Sequence, residues 1–196
     1  MSLQRKLAPQ LSSQPHEYSP EERRILLGVA HQAIAAALTG KSLDTAPPTE
    51  HLAEHRGAFT TLTLAGELRG CVGYVFPNYS LYRTVAETAV AAAMHDTRFV
   101  PVTPDELPSI EYEISVLSPL QSIDPEDVEI GKHGLVVTFG GRRGLLLPQV
   151  PVEHGWDRDT FLAQTCLKAG LPPDAWQRGA TLQGFTAEIF RSQKGQ

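Results

Sequence analysis

The sequence predicts an α+β fold: an antiparallel-rich β-sheet flanked by helices, forming a two-lobed single domain. Three observations predict it. Segments with a helical apolar period alternate with segments of period two, in the order helix, hairpin, helix, strands, helix, strand. The 16 glycines and 15 prolines mark many turns and short elements, which argues against a helical bundle. The 196 residues, 41% of them hydrophobic, fit one generous domain, and neither an internal repeat nor a flexible linker divides them.

The elements follow in order. Residues 1–17 are polar and are expected to form a flexible N-terminal arm, with 18–191 as the folded domain and 192–196 as a tail. Ser19 caps the first helix, Pro20 suits its first turn, and Glu22 completes a capping box. Apolar positions 25, 26, 29, 30, 33, 34, 37 and 38 form one stripe that Gly40 ends. Residues 41–57 read as a loop with at most a short helical turn. Ala58, Thr60, Leu62 and Leu64 share one strand face, and Gly66-Glu67 reads as the turn into a second strand, Leu68–Phe76, which Pro77-Asn78 breaks. A second helix spans Leu81–Met94, its alanines suited to close packing on a sheet. Ile110–Val116 alternates as a half-buried antiparallel strand. Asp124-Pro125-Glu126-Asp127 caps a short helical turn. Leu135–Phe139 and Leu145–Leu147 flank Gly140-Gly141-Arg142-Arg143-Gly144 as a hairpin. Arg158–Ala169 is a third helix, capped by Asp157 and stopped by Gly170, and Phe185–Phe190 is a last strand.

The 17 basic and 22 acidic residues give a net charge of −5, the wrong sign for a protein that tracks phosphates, so no nucleic-acid partner is expected. No apolar run is long enough to cross a bilayer and none resembles a signal peptide, so no membrane partner is expected either. Two distant cysteines without a CxxC pair exclude a zinc ribbon and a disulfide scaffold, and fit a reducing, cytoplasmic location. No cofactor and no metal are expected.

Several patterns invite chemistry and carry a plainer reading beside it. His51-Leu52-Ala53-Glu54-His55 matches the inverted zinc-protease signature H-x-x-E-H, but Pro47-Pro48 and Gly57 leave too little helix to support it, and a solvated loop is the expectation. Glu111 and Glu113 share a strand face with Cβ atoms about 7 Å apart, a spacing used in acid–base pairs and equally by any solvent-facing strand. The Gly140–Gly144 segment lacks the lysine and following helix of a phosphate loop. Cys166 lies on the apolar face of the third helix and reads as a buried thiol, with Trp156 and Trp176 as packing groups.

Cys71 differs, because it stands in a strand interrupted by glycines, Leu68-Arg69-Gly70-Cys71-Val72-Gly73. Glycine inside a strand marks a bulge or a close approach, and Gly70 and Gly73 leave room for a backbone or a ligand. Arg69, two positions before Cys71, is expected on the same face, where its guanidinium could stabilise a thiolate. His95 or His154 is a candidate base. A buried structural cysteine remains the alternative.

These residues resemble the AMMECR domain family. Leu68–Gly73 matches its LRGCIG motif with Val72 for isoleucine, Ala92-Ala93-Met94-His95-Asp96-Thr97-Arg98-Phe99 matches A-A-x-x-D-P-R-F with Thr97 for proline, and Arg143–Val150 keeps R-G-L-L-L-P-Q-V intact. Further similar blocks run from Glu153 to Asp157 and from Cys166 to Leu171, so the resemblance covers roughly residues 20–190. It implies a larger and a smaller lobe with a groove between them, a functional site at the LRGC segment, no established reaction, and association with MEMO-type proteins and radical SAM enzymes. Two functional expectations follow. One is a binding or accessory module whose groove holds a small-molecule ligand or such a partner, with Arg69, Gly70, Gly73, Asp96, Arg98 and Glu153 as binding residues. The other is a cysteine-dependent hydrolase or transferase with Cys71 as nucleophile, His95 or His154 as base, and Asp96 or Glu153 orienting that base.

Overall fold

The computed structural model describes residues 16–76 and 78–192. Strands β1 (Ala58–Leu64), β2 (Glu67–Tyr74), β3 (Ile110–Leu117), β4 (Gln121–Ser122), β5 (Gly134–Phe139), β6 (Arg142–Leu146), β7 (Thr181–Phe185) and β8 (Ala187–Arg191) form two antiparallel sheets, ordered β2-β1-β3-β8 and β4-β7-β5-β6. The helices are α1 (Pro20–Leu38), α2 (Glu50–Ala53), α3 (Leu81–Met94), α4 (Gln149–His154) and α5 (Arg158–Lys168). This is the expected α+β architecture.

α1 begins with the expected capping box. Ser19 Oγ accepts the Glu22 N–H at 3.2 Å, while the Glu22 carboxylate accepts the Ser19 N–H at 2.9 Å. α1 and α3 cover one face of the first sheet, burying Leu26, Ile34, Val85 and Ala89 against Leu62 and Ile114. Strand β3 points Ile110, Tyr112, Ile114 and Val116 into this core, as its alternation requires. The buried hydroxyls of Thr60 and Thr88 hydrogen-bond at 2.8 Å between sheet and helix.

α5 covers the second sheet, with Phe161, Leu162 and Cys166 packed on Leu135, Val137 and Leu182. A third apolar cluster joins the sheets: Leu117, Val136 and Phe185 pack with Phe59, Leu145, Leu147 and Ala187. The chain passes between sheets at two adjacent points that are tied together. Ser118 N–H donates to the Thr186 carbonyl at 2.9 Å, and Thr186 N–H donates to Ser118 Oγ at 3.0 Å.

Several boundaries differ from expectation. The first hairpin turns on Ala65-Gly66, both with positive φ (53° and 86°), one residue earlier than the sequence suggests. Gly140-Gly141 makes the equivalent turn (φ 55° and 78°), so Arg142, Arg143 and Gly144 belong to β6 rather than to the loop. The expected last strand is two strands, one in each sheet, broken at Thr186. α4 has no counterpart among the expected elements; Pro148 stands at its N-cap and Pro151 in its first turn, where proline is compatible with a helix. The expected arm lies outside the described residues except for His16 and Glu17, as does the tail beyond Ser192 and the break at Pro77. Among the described residues no helix is long and apolar enough to cross a membrane.

Candidate functional site: the clamped edge around Cys71

β2 is the edge of the first sheet, and its two motif glycines are explained by what they touch. A Cβ on Gly70 would collide with the Ala92 carbonyl of α3, and one on Gly73 with the Phe59 ring. Both are close approaches of the protein to itself. Of the two expected uses, room for a backbone or for a ligand, the backbone one is met at Gly70 by helix α3, and the Phe59 ring fills the space at Gly73.

The same strand carries a bulge. Leu62 pairs with Gly70 but Thr63 pairs with Leu68, which leaves Arg69 as an extra residue. This breaks the period-two count that would set Arg69 beside the Cys71 side chain. Its guanidinium turns to the 100–106 loop, donating to Glu106 Oε1 at 2.8 Å, to the Val100 carbonyl at 2.8 Å and to the Pro101 carbonyl at 3.2 Å. Arg69, helped by the Thr103 N–H, pushes the Glu106 carboxyl down to about 2. The expected stabilisation of a thiolate by Arg69 is thus replaced by an ion pair that holds the loop to the bulge.

Asp96 and Arg98 act on the Cys71 backbone. Asp96 Oδ2 accepts the Cys71 N–H at 2.9 Å, and Arg98 Nη2 donates to the Cys71 carbonyl at 3.3 Å. The two side chains are themselves joined, Arg98 Nε to Oδ1 at 2.9 Å and Nη2 to Oδ2 at 2.7 Å. Both outward-pointing backbone groups of Cys71 are therefore satisfied without another strand, which closes an edge that would otherwise invite pairing. Arg98, with the Cys71 and Arg98 amides, outweighs burial and holds the Asp96 carboxyl far below the ordinary carboxylate range.

The Cys71 thiol faces away from the helices. Thr61 Oγ1 donates to Cys71 Sγ at 3.2 Å. The registers place Cys71, Thr61, Glu113 and Arg191 side by side across all four strands, on the face opposite α1 and α3. Arg191 closes the row by pairing with Glu113. The adjacent row contains Phe59, which packs into the cluster joining the two sheets. The second sheet therefore stands over one part of this face and leaves the Cys71 row accessible beside it. Leu68 and Ile189, 43% and 46% exposed, add apolar surface to the same face. Arg143 of β6 lies over the Phe76 ring at 4.6 Å, beyond the end of β2.

The structure thus brings Asp96 and Arg98 to Cys71, through its backbone, and turns Arg69 away. His95 is the exposed C-cap of α3 and lines a cleft of about 360 Å³ with Lys41, Tyr74 and Glu87. His154 ends α4 and stacks on Trp156 at 4.6 Å, next to the exposed Glu153. Neither histidine hydrogen-bonds the Cys71 thiol among the described residues. Cys166 is fully buried, as expected, and burial pushes its thiol up. Sequence reasoning missed Thr61, Glu106 and Arg191 as members of the arrangement. Strand parity shows which face each residue takes, but only the register shows which residues become neighbours.

These features define a two-sheet α+β protein in which a short motif builds a clamped sheet edge beside an open sheet face. The AMMECR1 family model matches residues 27–190, and the chain belongs to that family. It is 44% identical over 186 residues to a protein of Methanopyrus kandleri, covering 89% of this chain and 90% of the relative. It is 43% identical over 180 residues to a Methanocaldococcus jannaschii protein, covering 87% and 90%. The crystal structure of an uncharacterized protein from Pyrococcus horikoshii is similar with a TM-score of 0.73 at 41% identity, over 86% of this chain and 90% of that one.

Proposed function

We propose that this protein is a binding or accessory module, and that the open face of the first sheet beside the second sheet is its recognition surface. One observation carries the reading: the Cys71 thiol sits in a row with Thr61, Glu113 and Arg191 and is hydrogen-bonded by Thr61, while Arg69 is engaged with the 100–106 loop. Arg69 holds a loop, Asp96 and Arg98 hydrogen-bond to backbone with the Arg98 charge also near the sulfur, and among the described residues no histidine hydrogen-bonds the sulfur. A nucleophilic cysteine is commonly activated by an adjacent base or a cationic neighbour aimed at the sulfur. The face mixes an ion pair, hydroxyls and exposed Leu68 and Ile189, a composition suited to a polar-rimmed contact with another protein.

The partners that the family resemblance suggests, a MEMO-type protein or a radical SAM enzyme in the cytoplasm, belong to this proposal, as does a small-molecule ligand. Affinity co-purification from the native host tests it. Wild-type protein and Cys71→Ser should recover the same partner, and Glu113→Ala/Arg191→Ala should lose it. Turnover of a thioester or peptide substrate that disappears in Cys71→Ser would replace this reading with the cysteine-enzyme one.

A further inference from the structure

The H-x-x-E-H segment lies apart from that face and has a different chemistry from the one its pattern suggests. Thr49 Oγ1 accepts the Leu52 N–H at 3.2 Å and starts the single turn of α2. A spacing of three sets His51 and Glu54 on one side of that turn. His55 leaves the group and bridges to Ser80 through its backbone. The third member comes instead from the chain ahead of α1: ligand-capable atoms of Glu17, His51 and Glu54 lie within 4.8 Å of one another.

His51 Nδ1 is 2.7 Å from Glu22 Oε1, and Glu22 is held in turn by the Ser19 N–H and hydroxyl, both at 2.9 Å. A carboxylate on one ring nitrogen keeps the proton there and leaves the other, Nε2, to coordinate, as in carboxylate–histidine–metal triads. Arg56 Nη2 donates to Glu17 Oε1 and Glu54 Oε2, each at 2.7 Å. That engages one oxygen of each carboxylate and leaves the second for a ligand role, with Arg56 as support. Among the described residues Glu17, Glu22, Glu54 and Glu188 face the fixed charges of Arg23 and Arg56, with the imidazoles of His51 beside Glu22 and His16 beside Glu188.

A separate observation points the same way. The Tyr18 ring is stacked on the His51 imidazole at 4.8 Å and 8°, and the residue is 1% exposed. Among the described residues its hydroxyl has no hydrogen-bond partner, and the charged groups acting on it are Glu17, Arg56, Glu54 and Glu188. A buried phenol beside such charges normally finds a partner, and a water bound to an ion at the trio would supply one.

We propose that Glu17, His51 and Glu54 bind one divalent ion of the borderline class, Zn²⁺ foremost, through one imidazole nitrogen and two carboxylate oxygens. An imidazole ligand disfavours Mg²⁺ and Ca²⁺, and three protein ligands leave a position for water. Ligand atoms around tetrahedral Zn²⁺ stand about 3.4 Å apart. Closing the remaining gap requires the exposed side chains of Glu17 and Glu54 to rotate about their contacts with Arg56. The ion joins the segment ahead of α1 to α2 and is independent of the sheet face proposed above for recognition.

The test is a Zn²⁺ titration against a chromophoric chelator, in Cys71→Ser protein so that the accessible thiol cannot contribute. One equivalent should bind, and Co²⁺ in its place should give visible d–d bands without a thiolate charge-transfer band. Glu17→Gln and Glu54→Gln should each weaken Zn²⁺ binding at least tenfold while unfolding near the wild-type temperature, and His51→Gln should abolish it. Absence of stoichiometric binding would overturn the proposal, as would binding unchanged in folded Glu17→Gln and Glu54→Gln proteins.

Discussion

Replacing Asp96 with alanine removes the clamp on the β2 edge at its centre, and its effect can be worked from the contacts. The carboxylate, on a side chain only 6% exposed, accepts the Cys71 N–H at 2.9 Å. A hydrogen bond to a charged group contributes about 1.5–3 kcal/mol. The Arg98 side chain is 56% exposed, so its ion pair is screened and adds only about 0–1 kcal/mol. The expected loss is therefore about 2–4 kcal/mol, or a fall in Tm of roughly 4–16 °C for a domain of this size. Asp96→Asn keeps an acceptor for the Cys71 amide and should lose about half as much. Urea unfolding measures the free energy, and hydrogen exchange at the Cys71 amide reports the edge directly, with protection lost in Asp96→Ala. Because the folded carboxyl titrates below its unfolded value, its contribution is present above about pH 4 and disappears as pH falls further. The acid limb of the stability profile should therefore be shallower in Asp96→Asn than in wild type. A loss below about 0.5 kcal/mol with unchanged Cys71 protection would refute the clamp, since that lies within the range of an ordinary surface substitution.

Three further outcomes are expected. Gly70→Ala drives a methyl group into the Ala92 carbonyl, with backbone on both sides, and should destabilise by about 1–3 kcal/mol or more in chemical denaturation. Iodoacetamide followed by peptide mass spectrometry should modify Cys71 in the native protein and Cys166 only after unfolding, given the partial exposure of the first and complete burial of the second. Thr88→Val leaves the buried Thr60 hydroxyl without its 2.8 Å partner and should destabilise by about 1–3 kcal/mol, Thr60→Val should cost less because Thr88 keeps its 3.2 Å bond to the Val85 carbonyl, and the double variant should lose less than the sum in a double-mutant cycle.

The sequence made most of the first sheet and its helices legible because local rules and burial agree there. The capping box at Ser19 and Glu22 and the alternation of β3 each appear as written. β7 and β8 were not separable, because the step between sheets at Thr186 depends on Ser118, 68 residues away in the chain. α4 was hidden for a local reason, since two prolines in six to seven residues are compatible with a short helix only near its start. At the site, the glycines in β2 correctly signalled a bulge and a close approach. What filled the space, helix α3 and the Phe59 ring, is a matter of packing between distant segments. Arg69 shows the limit most clearly: one inserted residue reverses the inference drawn from strand parity and sends its charge to Glu106. Likewise, Asp96 and Arg98 lie at Cys71, but their hydrogen bonds are to its backbone rather than its sulfur.

The central claim is that the open sheet face, and not the reactivity of Cys71, carries the function. Complementation of a deletion strain tests it most directly, with each variant checked for folding and abundance. Cys71→Ser should restore the wild-type phenotype, and Glu113→Ala/Arg191→Ala should not. A folded Cys71→Ser protein that fails to complement, beside a Glu113→Ala/Arg191→Ala protein that succeeds, would contradict the account.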